Sequence, residues 1–319
     1  MRNLEGSAKL WLAPMAGVTD LAFRTVCAEL GAQVTVTEMV SSRALVYQDR
    51  KSRTLLPKNP GSLCGVQIFG NDPAIMADAA QIALELSGCD FIDINMGCPM
   101  PKVCMHGDGS GLMRTPELAA RIVRSVADAV NVPVTVKMRM GWDKGSVNCV
   151  ALARMAEDSG AAAVAVHGRT RAMLYGGVAD WDIIREVKQA VHIPVIANGD
   201  IIDETSARRC IARTGADGLM IGRASFGDPW IFSRVLAAME DRPIPQTIPL
   251  ARRMDVAERQ FELAMQDRGE RAACLHARRH FAWYLRGVAH SGYYKRQIAQ
   301  VETMEQIHQI ADGIRRDLA

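Results

Sequence analysis

Eight short apolar, β-branched runs recur along the chain, each followed by a polar or glycine-containing corner and usually by a helical pattern. They are Leu10 to Ala13, Val34 to Thr37, Leu63 to Ile68, Phe91 to Ile94, Val132 to Val136, Ala162 to Val166, Ile193 to Ala197 and Gly218 to Ile221. A strand buried on both faces reads as a nearly continuous apolar run, and strands that alternate with helices imply parallel βα units. Eight such units match the size of a closed (β/α)8 barrel, typically about 250 residues, better than a doubly wound open sheet. The expected class is therefore α/β: a TIM barrel, with the open sheet as the alternative.

The intervening helices read as amphipathic. Thr115-Pro116-Glu117 opens one, with Pro in the first turn and a carboxylate at the positive end of the helix dipole; Leu118, Ile122, Val123 and Val126 then form its apolar stripe. Ile231 to Met239 reads as a closing helix. Segment 243–249 carries Pro243, Pro245 and Pro249, which disfavours both helix and central strand and marks a linker. Beyond it the pattern is helical only, with Ile298, Val301, Met304, Ile307, Ile310, Ala311 and Ile314 at helical spacing. The expected organisation is a barrel over 1–242, a proline-rich linker over 243–249 and a small all-helical domain over 250–319.

No apolar stretch approaches the roughly 20 residues that span a bilayer, and the segment Met1 to Gly6 lacks a signal-peptide core. A cytoplasmic protein with no membrane partner is expected. The eight cysteines show no CxxC pair and no regular spacing, so neither a metal site nor a disulfide framework is expected. Most of them fall within helical or strand patterns as small core residues; Cys98 and Cys104 lie in a glycine-containing loop.

If the strands form a barrel, the residues just past each one share a mouth, where barrel active sites are built. Those residues are Pro14, Met15 and Ala16 after the first strand, Glu38 after the second, Gln67 at the end of the third, and Asn95 and Cys98 after the fourth. Lys137 and Arg139 follow the fifth, His167-Gly168-Arg169 the sixth, Asn198-Gly199-Asp200 the seventh and Gly222-Arg223 the eighth. Corners seven and eight suit a phosphate, because glycine leaves backbone N–H groups accessible and Arg223 supplies a cation.

These residues carry a resemblance. APMAGVTD (13–20), DINMGCP (93–99), GDGSGLM (107–113), VTVKMRMGW (134–142), VHGRTR (166–171), PVIANGDI (194–201) and DGLMIGRA (217–224) are similar to the motifs of the tRNA-dihydrouridine synthases, in particular the bacterial B-type branch. The resemblance covers essentially the whole chain; one local departure is Gly111, where the family often has alanine. It implies an FMN barrel that reduces the C5–C6 double bond of a D-loop uridine in tRNA with NADPH as electron source. It further implies that Pro14, Met15 and Ala16 line the flavin, that Gln67, Lys137 and His167 contact its ring or ribityl chain, and that Asn198, Gly199, Asp200, Gly222 and Arg223 hold its phosphate. Cys98 would be the proton donor, a role open to a thiol because free Cys titrates near 8.5 and keeps its proton at neutral pH. Asn95 and Arg139 would face the uracil; for Lys102 a role in positioning the Cys98 loop or meeting RNA phosphate stands equal with a solvated surface role.

Net charge is only +3, but its distribution is uneven. Between Arg271 and Arg296 stand six basic residues and no acid, with Trp283, Tyr284, Tyr293 and Tyr294 among them. A phosphate backbone supplies the counter-charge that such a run lacks, and aromatics beside arginine can stack bases. Arg278 and Arg279 are the expected RNA contacts. Trp283 is expected to pack in a core; for Tyr293 and Tyr294 core and RNA roles stand equal. A monomer is the working expectation for the assembly.

Two other readings compete at this point. A flavin barrel acting on a small molecule needs no basic helical appendage and would turn over without RNA. A nucleic-acid-binding regulator that keeps the barrel as a scaffold would take up no flavin.

Overall fold

The computed structural model describes residues 10–244 and 248–319. Eight strands form the ring: β1 Leu10–Leu12, β2 Val34–Val36, β3 Leu63–Phe69, β4 Phe91–Met96, β5 Val134–Gly141, β6 Ala163–Thr170, β7 Val195–Asn198 and β8 Gly218–Ile221. All pair in parallel in chain order, and β1 pairs with β8 (Trp11 opposite Met220), so the sheet closes on itself. A two-residue extension, Val40–Ser41, adds to the upper end of β3. The helices that follow each strand are α1 Leu21–Glu29, α2 Ser42–Val46, α3 Pro73–Ser87, α4 Pro116–Ala129, α5 Cys149–Asp158, α6 Trp181–Ala190, α7 Glu204–Thr214 and α8 Ile231–Met239. The barrel expectation holds, and α8 has the limits read from the sequence.

Strand ends differ from the reading. Asn95, Lys137, Arg139, His167 and Arg169 were expected past the strands and lie inside them, whereas Gln67 lies inside its strand as read. The reason is the two-residue period: outward positions of β4 and β5 (Ile92, Ile94, Met96, Val134, Val136, Met138) pack in the layer beneath the helices, while inward positions pass from apolar to polar as the strand ascends. The lower interior is a separate apolar plug that includes Trp11, Val34, Val36, Phe91, Ala163, Ala165, Ile196 and Met220. Trp11 and Phe91 meet edge to face, 5.6 Å between centroids. Gly65 makes room for this, since a Cβ there would sit 2.2 Å from the Phe91 ring.

Four further helices follow: α9 Leu250–Arg268, α10 Glu270–Tyr284, α11 Gly292–Ile298 and α12 Met304–Leu318. The stripe read from the sequence is buried, though it spans α11, the turn at Val301 and α12 rather than one helix. Their core is not self-contained, because Ala22 and Val26 of α1 and Trp230 complete it. Of the proline-rich segment 243–249, residues 245–247 lie outside the described residues; Pro243, Ile244, Ile248 and Pro249 are neither helix nor strand. Among the described residues no helix is long and apolar enough to cross a membrane.

Candidate active site

A cavity of about 1170 Å³ opens at the C-terminal ends of the strands and is roofed on one side by Arg253, Trp283 and Arg286 of α9, α10 and the turn after it. It exceeds the roughly 300–1,000 Å³ of common small-molecule pockets, which leaves room for two ligands together.

Its most ordered part is a chain of hydrogen bonds across three strands. The Thr135 hydroxyl and Gln67 Nε2 donate to the Asp93 carboxylate, the latter at 2.6 Å. Gln67 Oε1 accepts from Asn95 Nδ2 at 2.7 Å, and Asn95 Oδ1 accepts the backbone N–H groups of Gly97 at 3.1 Å and Cys98 at 2.9 Å. From the other side Arg139 Nε donates to Gly97 O at 2.9 Å, and Ser110 Oγ to Cys98 O at 2.7 Å. The Cys98 loop is thus clamped on both carbonyls and both amides. Burial lifts the Asp93 carboxyl to about 6 against the lowering hydrogen bonds of Thr135 and Gln67. Burial also raises the half-buried Cys98 thiol above its ordinary value, so it carries its proton at neutral pH.

Basic side chains, Lys137, Arg139, His167 and Arg223, line the same cavity as Cys98. Lys137 Nζ donates to Asn198 Oδ1 at 3.1 Å, and burial together with the like charge of Arg139 lowers it to about 8. His167 is pushed down to about 2, first by burial and then by Lys137, Arg139, Arg169 and Arg223 around it. It is therefore neutral, and with Arg169 Nη1 at 3.3 Å its Nε2 must be the acceptor, which leaves the ring proton on Nδ1. Arg169 Nη2 holds both oxygens of Asp200, at 2.7 and 2.8 Å, and Asp200 also accepts the Ala179 N–H. Gly199 has φ +113, and a Cβ there would lie 2.8 Å from Ala179 and 2.9 Å from His167, so this corner tolerates only glycine. Exposed Arg223 lies 5.2 Å from the Tyr175 ring centroid, and Arg139 lies 5.6 Å from it.

Pro14, Met15, Ala16, Gln67, Asn95, Cys98, Lys137, Arg139, His167, Asn198, Gly199, Asp200, Gly222 and Arg223 all line this one cavity. Their engagements revise several expectations. The Asp200 carboxylate is taken by Arg169, so toward an anion the corner offers backbone rather than that side chain. Arg139 uses Nε and Nη1 on the carbonyls of Gly97, Thr170 and Leu174, and Asn95 uses its amide on Gln67 and the Cys98 loop; both are braces of the cavity wall. Lys102 is exposed on the short helical turn Pro101–Cys104 and is not among the cavity-lining residues. Arg278 Nε donates to Val301 O at 3.0 Å, inside the helical part, and Arg279 Nη2 donates to Gly17 O at 2.7 Å, tying α10 to the first barrel loop. Trp283 stacks on Phe226, 4.3 Å between centroids, and so combines packing with a place in the cavity wall. Tyr294 is buried and Tyr293 exposed. Sequence reasoning missed Asp93, Thr135, Tyr175 and Arg253. The alternation Asp93, Asn95 and Thr135, Lys137, Arg139 was the signal for the first two; Tyr175 and Arg253 had none.

Among the described residues no group of three or more His, Cys, Asp or Glu could hold a metal ion. Residues 11–317 match the family model described as Dihydrouridine synthase. The chain is 42% identical over 305 residues to tRNA-dihydrouridine synthase B of Vibrio cholerae, covering 95% of this chain and 94% of that protein. To tRNA-dihydrouridine synthase B of Salmonella typhimurium it is 45% identical over 296 residues, 92% of each chain. Among solved structures, histamine dehydrogenase from Rhizobium sp. 4-9 aligns over 80% of this chain and 49% of its own with TM-score 0.57 and 12% identity. The 2-naphthoyl-CoA reductase complex aligns over 74% of this chain and 50% of its own with TM-score 0.58 and 12% identity. These two share the fold alone.

Proposed function

The chain belongs to the dihydrouridine synthase family, with B-type bacterial relatives along nearly its whole length, and from that premise we propose how its cavity works: FMN as cofactor, NADPH as electron source and a D-loop uridine of tRNA as the group reduced. When bound, the reduced flavin supplies a hydride to one carbon of the uracil C5–C6 double bond. The residues fit such a group. Pro14, Met15, Ala16 and Met220 offer an apolar wall, neutral His167 offers an Nδ1–H donor, and Lys137 offers a cation below pH 8. The glycine corners at Gly199 and Gly222, with Arg223, offer backbone and charge for a phosphate.

The chain's own chemistry centres on Cys98. Its thiol would donate the proton to the second carbon of that bond. Asn95, Ser110 and Arg139 hold the loop so that the sulfur is already in place when a base enters, and Arg139 and Asn95 form the wall the uracil meets. Lys137 stabilises negative charge beside it. Taking a partly stacked base out of a folded tRNA costs a few kcal/mol; Trp283, Arg286 and Arg253 at the rim, with exposed Arg279 on α10, meet the backbone and offset that cost. Lys102 is a more distant contact of the same surface, whereas Arg278 braces the turn at Val301. A cytoplasmic monomer, divided into a barrel over 1–242 and a tRNA-binding helical domain over 250–319, completes the reading.

The observation that carries it is the two-sided clamp on a protonated Cys98 that shares one cavity with Lys137 and His167. Cys98→Ala should keep its flavin absorbance and its tRNA affinity while dihydrouridine formation drops by about 10²–10⁴-fold, the usual share of a general acid. Full turnover in that variant would show that another group gives the proton.

A further inference from the structure

Arg24 of α1 is buried to 1% exposure, yet none of its hydrogen-bond partners among the described residues is a carboxylate. Its guanidinium donates to Thr19 O at 3.1 Å, Asn59 Oδ1 at 2.9 Å, Pro57 O at 2.7 Å and Cys64 Sγ at 3.2 Å. The neighbouring acids are engaged elsewhere. Asp20 accepts from Phe23 N and lies 3.0 Å from His276, while Asp90 pairs with Lys58 and accepts from Cys64 N. A guanidinium stays charged in any protein environment, and a buried charge without a counter-charge is strongly disfavoured. Cys64 is the contacting group that can supply one, as a thiolate.

A second sulfur stands beside it. Cys89 Sγ lies 3.7 Å from Cys64 Sγ and is oriented to donate to it. Cys89 sits in the short corner between α3 and β4, 6% exposed and next to exposed Gly88, so it lies just beneath the surface, whereas Cys64 at the start of β3 is fully buried. Both are at the lower end of the barrel, away from the mouth, and nothing in the reading of the mouth uses them. The hydrogen bond from Cys89 and the charge of Arg24 pull the Cys64 thiol down against the effect of burial, while donation to Cys64 and burial push Cys89 up.

We propose that Cys64 and Cys89 form an Arg24-activated dithiol that closes to a disulfide when hydrogen peroxide reaches it. The Cys64 thiolate attacks one peroxide oxygen, the O–O bond breaks, and the departing hydroxide takes a proton to leave as water. Cys89 then attacks the Cys64 sulfenic sulfur; its thiol proton leaves with the hydroxyl as a second water, and the S–S bond forms. Two sulfurs are each oxidised by one electron and the peroxide is reduced by two. The sulfurs must close from 3.7 Å to about 2.05 Å, a shift the Gly88–Cys89 corner can supply.

The test is equimolar hydrogen peroxide on the flavin-loaded protein, then alkylation under denaturation and mapping without reduction. No Lys or Arg lies between Lys58 and Lys102, so cleavage after Glu85 and before Asp93 is needed to separate Cys64, Cys89 and Cys98. A Cys64–Cys89 linked peptide pair should be the main product, its rate of formation falling about tenfold in Arg24→Gln as the thiolate fraction falls. Cys89→Ser should instead leave a Cys64 sulfenic acid that dimedone traps, which keeps the test valid if the Arg24 variant does not fold. Recovery of both residues as alkylated thiols while Cys98 is oxidised, or absence of the dimedone adduct in Cys89→Ser, would overturn the proposal.

Discussion

Asn95 shows how much of the site is decided by single side chains that never need to touch the reacting atoms. One amide oxygen holds the N–H groups of both Gly97 and Cys98, and the amide nitrogen is fixed by Gln67, itself fixed by Asp93. Asn95→Ala leaves those two amides without their acceptor, a loss of about 1–3 kcal/mol for each buried donor left unpaired. The variant should keep its flavin, lose thermal stability and lose turnover together, measured by calorimetry and by dihydrouridine formation. Lys137 gives a pH dependence with a definite sign. Its folded value is lowered to about 8, so the ammonium is present below that pH and lost above it. Turnover should therefore fall as pH rises through about 8, and Lys137→Met should be slower throughout and lack that alkaline limb. A limb that persisted in Lys137→Met would assign it to another group. His167, held neutral by burial and four nearby cations, should contribute no limb near its ordinary value.

At the scale of elements, α10 governs how the helical part meets the barrel. Arg279 binds the Gly17 carbonyl, and His276 Nδ1 lies 3.0 Å from the Asp20 carboxylate that caps α1. Gly227 (φ +69) approaches the Trp283 backbone so closely that an added Cβ would lie 2.2 Å from it. Gly227→Ala should force α10 away from the mouth and weaken tRNA binding by a factor of ten or more, on the order of 1.4 kcal/mol, while flavin content is retained; a mobility-shift titration beside a flavin spectrum reads both. The surface arginines separate along the same lines. Arg286→Glu, at the cavity rim, should weaken tRNA binding with little change in melting temperature. Arg278→Glu should do the reverse, because it removes the hydrogen bond to Val301 that braces the turn before α12. Equal loss of affinity in both variants would restore Arg278 as an RNA contact.

Across the whole molecule, the barrel was legible because each parallel strand leaves an apolar run and each corner a polar or glycine residue. Ile231–Met239 and the stripe from Ile298 to Ile314 were legible for the same reason, since amphipathic periodicity survives in sequence. What was not legible depends on distant partners. That Asp200 belongs to Arg169, that Arg278 braces Val301, and that Ala22, Val26 and Trp230 complete the helical core follow from contacts no local pattern records. The inward polar positions of β4 to β6 were visible as residues but misplaced past the strand ends, because a buried strand was expected to be apolar on both faces and the barrel's upper interior is not. The architecture that results joins a clamped thiol, basic side chains and a helical roof around one cavity, and its purpose is tested at the same scale. Intact protein, NADPH and tRNA lacking dihydrouridine are incubated together and the tRNA is mapped by mass spectrometry. New dihydrouridine confined to the D-loop, with one NADPH consumed for each, is the predicted result; flavin-loaded protein that consumes NADPH yet leaves every uridine unreduced would contradict the account.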